Sequence, residues 1–141
     1  ILGDTDFRSG EWNGFQKNDD SKSTIPRSSG DMVIEINIPK GSKTNSIGIH
    51  ALSYMNDYIT FPERLELYDI SMNKNKLIYF KDVDREEAGQ IPKTVMYELP
   101  ISEKNLEKVK LVVKSNKKLP KGHVAEGQYA WFFVSEIFFM L

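Results

Sequence analysis

Hydrophobic and polar residues alternate with a period of two along most of this chain. In residues 32–38, Met32, Ile34, Ile36 and Ile38 are separated by single residues, and Pro39 follows. Similar runs recur, with turn residues between them, at 46–52, 64–68, 77–80, 95–99, 109–113 and 129–140. Successive side chains of a strand point to opposite faces of a sheet, so the pattern predicts half-buried strands. Together with the short stretch 12–15 it predicts about eight strands, no convincing helix, and an all-β sandwich or barrel.

Turn and loop signals indicate how these strands are connected. The segment Ser71-Met72-Asn73-Lys74-Asn75 predicts a hairpin connection. Residues 16–31 are nearly all polar and predict a long surface loop, where binding function tends to lie. Residues 104–121 hold seven lysines and one acid, and we interpret them as a solvated edge strand and loop. With no repeat and no linker, residues 1–141 are expected to form a single domain.

Composition excludes several classes of function. Lys plus Arg number 19 and Asp plus Glu number 20, so the formal charge is −1, which disfavours a nucleic-acid partner. The absence of Cys excludes disulfides, thiol nucleophiles and thiolate zinc sites, and His50 and His123 alone cannot make a multi-histidine metal site. The longest apolar stretch, 130–141, is interrupted by Ser135 and Glu136 and is too short to span a membrane, which takes about 20 residues.

The two ends of the chain hold a candidate metal site. Asp4 and Ser9 lie in a Gly-punctuated opening segment, and Ser135 and Glu136 interrupt the last strand. Unbroken alternation puts Glu136 on the same face as Phe132, where a buried carboxylate needs a partner. Calcium suits this place because it accepts carboxylate, hydroxyl and carbonyl oxygens together. The alternatives are an Arg or Lys partner, or a solvated strand end.

Aromatic and amide side chains at strand ends form a candidate sugar site. A sugar offers apolar C–H patches and edge hydroxyls, so its site needs flat rings beside planar donors and acceptors. The candidate sugar-binding residues are Trp12, Gln16, Tyr54, Asn56, Tyr58, His123 and Tyr129. Core packing is the alternative for such rings, and we favour it for Trp12 and Trp131. His50, on a strand, is interpreted as structural.

Catalysis is not expected from the isolated domain. A glycosidase needs two carboxyl groups facing each other across a cleft. The acid pairs of this chain, Asp82 with Asp84 and Glu86 with Glu87, are close neighbours in sequence within one polar segment. Neither histidine has a Ser and Asp pattern that would indicate a triad.

Several segments, in this order, are similar to one known family. The chain carries Leu2-Gly3-Asp4, Glu11-Trp12-Asn13-Gly14-Phe15, Met32-Val33-Ile34-Glu35-Ile36, the run 59–71 and Ala130-Trp131-Phe132-Phe133-Val134-Ser135-Glu136-Ile137. These segments resemble discoidin domains, also called coagulation factor 5/8 type C domains, which include family 32-like carbohydrate-binding modules. The last segment is similar to the closing strand of such domains in Bacteroides-type chitobiases, which are β-N-acetylhexosaminidases.

The resemblance implies a fold and two sites. The fold is an eight-stranded antiparallel jelly-roll β-sandwich, described as galactose-binding-domain-like. Carbohydrate is expected at loops on one end of the sandwich. A structural Ca²⁺ is expected near the termini, with carboxylates from Asp4 and Glu136, the backbone carbonyl of Ser135 and a weaker contribution from Ser9.

The resemblance also implies a function. We expect a non-catalytic module that targets an attached glycoside hydrolase, of the hexosaminidase or chitobiase type, to glycans containing N-acetylhexosamine or galactose. The protein is expected to be secreted, periplasmic or on the surface of a bacterial cell. The start at Ile1, without Met, suggests a processed or excised piece of a longer chain.

Departures from the family pattern favour a rival interpretation. Thr5 stands where the family usually has Gly, and Ser135 where many members have Asp. The His, Arg and Asn trio of galactose-binding members has no counterpart, although Tyr129 precedes the last strand where the family often has a stacking aromatic. The alternative function is therefore a structural module that packs against another domain and has lost sugar binding.

Overall fold

The computed structural model describes residues 13–16 (backbone only), 31–54, 58–83, 92–114 and 118–140. Their strands are β1 (Asn13–Gln16), β2 (Met32–Asn37), β3 (Ser46–Ser53), β4 (Arg64–Asp69), β5 (Lys76–Asp82), β6 (Lys93–Pro100), β7 (Lys108–Lys114) and β8 (Trp131–Met140). A 3₁₀ turn at Ser71–Asn73 joins β4 to β5, which pair as the predicted hairpin. None of the described residues forms a helix long and apolar enough to cross a membrane.

The strands form two antiparallel sheets around one core. The first sheet has the order β1-β8-β3-β6, and the second has the order β2-β7-β4-β5. The core contains fully buried side chains from both sheets: Ile47, Ile49, Ala51, Leu65, Leu67, Leu99, Val109, Leu111, Val113 and Phe132. These are the apolar positions of the two-residue repeat, so an all-β sandwich, as predicted from the sequence, is confirmed.

The lysine-rich strand β7 occupies a central position in the second sheet. It pairs with β2 on one side and with β4 on the other. Val109, Leu111 and Val113 face the core and are fully buried, while Lys110 and Lys114 alternate with them on the outer face. The prediction of an edge strand was wrong, because β2 and β4 cover both edges of β7. Its lysines lie on the solvent-facing side of the sheet.

The outer face of the second sheet holds a buried acid. Glu66 is only 6% exposed and lies 3.0 Å from Nε of Arg64 and 3.4 Å from Nζ of Lys114. The hydroxyl of Tyr68 donates a hydrogen bond of 3.1 Å to the same carboxylate. Because each carboxylate oxygen has a partner, the charge is compensated where it is buried.

A β-bulge interrupts the pairing of β8 with β3. Val134 pairs with Ala51 and Ile137 with Ile49, so Ser135 and Glu136 together oppose a single residue of β3. The extra residue reverses the alternation: Val134 is 4% exposed, and Ile137, three positions later, also packs against the core. Glu136 is exposed. Its predicted place on the core face was wrong, because that prediction assumed an unbroken repeat.

Candidate functional site

The two ends of the sandwich carry different chemistry. Strand β3 runs the full length of the first sheet, from Ser46 to Ser53. Beyond Ser53 lie residues 54 and 58–60 and the loop 118–130, which we call the aromatic end. Before Ser46 lie the loops 38–45 and 101–107, which we call the lysine end. The nine steps from residue 45 to residue 54 separate them by about 30 Å, at ~3.3 Å per residue.

A clamped turn presents Tyr58 at the aromatic end. The backbone N–H of Tyr54 donates to the carbonyl of Ile59 (2.9 Å), and the N–H of Ile59 donates back (3.1 Å). The carbonyl of Tyr58 accepts the N–H of Trp131 (2.8 Å), and the N–H of Thr60 donates to the carbonyl of Trp131 (2.8 Å). The turn is thus fixed to the first residue of β8.

Tyr58 adopts a backbone conformation that is unusual for a bulky residue. Its φ is 63°, in the left-handed region that mainly Gly and Asn adopt. Such a conformation costs about 1–3 kcal/mol and persists where surrounding contacts impose it, often at functional sites. Its side chain is 40% exposed, so the strained backbone holds an aromatic ring at the surface.

The loop 118–130 has its own small core and hydrogen bonds. The N–H of Leu119 donates to the carbonyl of Gln128 (2.8 Å), and the N–H of Gly127 donates to the carbonyl of Leu119 (3.1 Å). Leu119, Ala125 and Ala130 are buried together beneath the loop. The side chains on this loop are therefore carried by a braced backbone.

His123 is oriented by that loop and contacts Tyr58. Its Nδ1 lies 3.0 Å from the backbone N of Ala125, which can only donate. Nδ1 is therefore the acceptor, and in the neutral ring the proton is on Nε2. The imidazole lies edge-on to the ring of Tyr58, with centroids 5.2 Å apart and an interplanar angle of 63°. Two segments distant in sequence thus share one aromatic contact.

Tyr129 and Trp131 are two further aromatic residues at this end of the sandwich. The ammonium of Lys118 lies 5.2 Å from the ring centroid of Tyr129, a cation–π distance. Trp131 is 38% exposed and packs beside Phe133, with ring centroids 6.1 Å apart. The rings of Trp131 and Phe133 are on the outer face of β8, because Phe132 between them is fully buried.

Most of the predicted sugar-binding residues that can be located lie at this end. Tyr54, Tyr58, His123 and Tyr129 belong to its segments, and the Cα of Gln16 pairs with that of Trp131. Trp12 and Asn56 lie outside the described residues. Lys118, which contacts Tyr129, was not among the predicted residues, and Trp131, which is exposed, was assigned to the core. Phe132 is a core position, so the two-residue alternation places its neighbour Trp131 on the outer face.

The described part of the chain contains only half of the predicted calcium ligands. Glu136 is exposed at the bulge, and the Oγ of Ser135 lies 2.9 Å from Nδ1 of His50. Asp4 and Ser9 lie outside the described residues. No group of three or more His, Asp or Glu side chains that could hold a metal ion occurs among the residues that are described.

The outer face of the first sheet is largely apolar. Met96 on β6 is 48% exposed, and Trp131, Phe133 and Phe138 on β8 are exposed or half-buried on the same face. In the middle of this face His50 is buried, as expected of a structural residue. Apolar surface of this kind is typical of a protein interface.

A groove of about 1490 Å³ opens at the lysine end. Its walls are the loops 38–45 and 101–107. None of the predicted sugar-binding residues that the structure describes lines it. The groove is therefore separate from these candidate sugar-binding residues, which lie at the aromatic end of the sandwich.

In comparisons with known proteins, neither a protein-family model nor a curated protein matches this chain.

Proposed function

We propose that this chain is a non-catalytic carbohydrate-binding module that binds glycans through its aromatic end. The observation that carries the proposal is the contact between the rings of Tyr58 and His123. The same end of the sandwich also carries the half-buried Tyr129 and the exposed Trp131. Rings supply flat apolar surface for the C–H face of a sugar, and the Tyr hydroxyls and the imidazole supply hydrogen-bonding groups for its edge.

The proposed site is exposed and braced, which fits weak and reversible binding. Its side chains are carried by a clamped turn and a loop with its own small core, so little order has to be created on binding. We expect dissociation constants in the millimolar range, about −4 kcal/mol. Binding of that strength becomes useful when the module is attached to a second glycan-binding or catalytic domain.

The proposal includes the context inferred from the resemblance to discoidin domains. The partner domain is a glycoside hydrolase of the hexosaminidase or chitobiase type, and the glycans contain N-acetylhexosamine or galactose. The fold is a jelly roll, which the sheet orders β1-β8-β3-β6 and β2-β7-β4-β5 support. A structural Ca²⁺ bound by Asp4, Ser9, Ser135 and Glu136 belongs to the same proposal, supported by the exposed carboxylate at the bulge.

Affinity electrophoresis through gels containing N-acetylhexosamine or galactose polymers, after a glycan array has selected the polymer, tests the proposal. The chain is expected to be retarded, and Tyr58→Ala and Tyr129→Ala are each expected to lose most of the retardation. Phe80→Ala is the matched control, since Phe80 is an exposed ring on the other sheet. Absence of retardation on every such glycan, or equal retardation of all variants, contradicts the proposal.

The apolar outer face of the first sheet favours a second candidate function, packing against a neighbouring domain. Met96 and Trp131 are the most exposed apolar side chains of that face. If packing is the function, Met96→Lys in the longer protein reduces the protection of the interdomain surface from protease without changing glycan retention. If sugar binding is the function, Tyr58→Ala reduces glycan retention and leaves the protection of the interdomain surface unchanged.

A further inference from the structure

The groove at the lysine end has anchored walls. The N–H of Ile38 donates to the carbonyl of Glu107 (2.9 Å), and the N–H of Ile101 donates to the carbonyl of Asn45 (2.7 Å). These two bonds tie the loops 38–45 and 101–107 to each other. The N–H of Asn45 also donates to the carbonyl of Met140 (2.9 Å), at the end of β8. The groove is therefore built between loops that are fixed to the sheets.

The hydroxyl of Ser71 holds the end of the loop 101–107, which is the second wall of the groove. Its Oγ accepts the N–H of Glu107 (3.0 Å) and the N–H of Lys108 (3.1 Å). The N–H of Ser71 in turn donates to the carboxylate of Asp69 (2.9 Å), which is buried. The turn between β4 and β5 thus holds the loop before β7 in place, so the groove does not depend on a ligand for its shape.

Three lysines on the walls form no ion pair with any acid in the described part of the chain. Lys40, Lys43 and Lys104 are exposed, and no carboxylate among the described residues lies within ion-pair distance of them. Two acids also line the groove, but Glu103 is 3.7 Å from Nζ of Lys76, outside the lining. With Lys40, Lys43 and Lys104 against Glu103 and Glu107, the described lining carries a net formal charge of 3 − 2 = +1, in a chain whose formal charge is −1.

We propose that this groove is a second binding site, for an acidic polysaccharide that bears carboxylate or sulfate groups. The inference does not depend on sugar binding at the aromatic end. The ammonium groups would pair with the anionic groups of the ligand. Between them the groove offers hydroxyls and amides for sugar hydroxyls, from Ser42, Thr44, Asn45 and Asn105, and apolar side chains for ring faces, from Ile38, Ile101 and Leu106.

The size and lining of the groove favour a polysaccharide over other anions. Its volume, about 1490 Å³, exceeds the ~300–1,000 Å³ of typical small-molecule sites, so a single ion or monosaccharide would fill little of it. Among the residues that the structure describes, no aromatic side chain lines it, whereas single-stranded nucleic acids are held by rings on which their bases stack. An extended chain with repeated charges matches both observations.

Calorimetry and NMR titration with polygalacturonate, dextran sulfate and neutral dextran test the inference. Binding to one or both acidic polymers, weakened by salt, with amide shifts at 40–45 and 101–107, is expected. The two acidic polymers distinguish a carboxylate ligand from a sulfate ligand. Binding of neither polymer, shifts confined to other residues, or tighter binding of single-stranded DNA overturns the inference.

A charge-matched pair of variants separates this site from general electrostatic attraction. The triple variant Lys40→Gln, Lys43→Gln, Lys104→Gln is expected to lose at least about tenfold in affinity for the acidic polymer. The control triple variant Lys81→Gln, Lys93→Gln, Lys121→Gln removes the same charge from exposed positions outside the groove and is expected to change affinity less than twofold. Equal losses in both variants overturn the inference.

Tyr58→Ala makes the two proposals distinguishable. It is expected to leave binding of the acidic polymer unchanged while abolishing retention on neutral glycans. If Tyr58→Ala weakens binding of the acidic polymer as much as the groove variant does, the polymer binds at the aromatic end and the groove proposal fails. If neutral glycans are not bound at all but the groove variants behave as expected, only the function proposed for the aromatic end fails.

Discussion

The ring of Phe138 lies directly over Gly48 of the neighbouring strand. A Cβ atom at position 48 would come within 2.5 Å of Cε2 and 2.9 Å of Cζ of this ring. The two residues are paired across β3 and β8, on the outer face of the first sheet. A glycine in the middle of a strand is therefore explained here by the close approach of an aromatic side chain.

Gly48→Ala is expected to destabilise the protein by about 1–3 kcal/mol, because the added methyl group forces the Phe138 ring from its place. Urea unfolding monitored by tryptophan fluorescence measures the change. In the background of Phe138→Ala the same substitution is expected to cost much less, so the double-mutant cycle gives a coupling energy. Additive effects of the two substitutions would show that the close approach is not what restricts position 48.

The left-handed backbone of Tyr58 predicts an ordering of variants. Tyr58→Ala and Tyr58→Gly both remove the ring and the contact with His123, and both are expected to lose glycan retention. Tyr58→Gly is expected to be more stable than Tyr58→Ala by about 1 kcal/mol, since glycine adopts a positive φ without strain. Chemical denaturation compares their stabilities. Equal stability of the two variants would refute the strain at this turn.

Stability at alkaline pH is expected to depend on Tyr68. Burial, together with the hydrogen bond to Glu66, raises the pKa of the Tyr68 hydroxyl above its usual value near 10. The unfolded chain then ionises at lower pH than the folded chain. The hydroxyl thus contributes to stability below pH ~10, and this contribution is lost as the pH rises from 10 through the raised pKa.

Tyr68→Phe isolates that contribution, because all other titrating groups are shared with the parent chain. Urea unfolding between pH 8 and 11 is expected to show the stability of the parent falling towards that of the variant as the pH rises. A constant difference between the two proteins across this range would contradict the raised pKa.

Removal of calcium is expected to lower the melting temperature, because an ion that binds only the folded state stabilises it. Thermal unfolding with and without chelator measures the shift. Glu136→Gln is expected to melt at the lower temperature in both conditions, while Glu126→Gln, an exposed acid in the loop 118–130, should behave like the parent. An unchanged melt in chelator, with no metal detected by elemental analysis, would eliminate the site.

The core was predictable from the sequence because burial follows the two-residue repeat. Ile47, Ile49 and Ala51 are all fully buried, as their spacing indicates. The position of each strand within its sheet was not predictable, because strand order depends on pairing between residues far apart in the chain. The alternation of lysines with apolar residues in β7 fits a central strand as well as an edge strand.

The aromatic end was partly predictable. Residue type and a position in or beside loops led to Tyr58, His123 and Tyr129 as candidates, and the structure places all three at one end of the sandwich. The contact between Tyr58 and His123 was not predictable, since it requires two loops separated by more than 60 residues to meet at the start of β8. The outward direction of Trp131 was missed because ring size favoured the core over the alternation with Phe132.

The bulge at Ser135 and Glu136 shifts the inward–outward alternation of β8 by one residue. It determines which face each of the neighbours Phe138 and Phe139 occupies: Phe138 covers Gly48 on the outside, and Phe139 pairs with the buried Ile47. Deleting residue 136 would exchange these two rings between the faces while leaving the first half of the strand in register. The length of this strand, to a single residue, therefore determines what each surface of the first sheet displays.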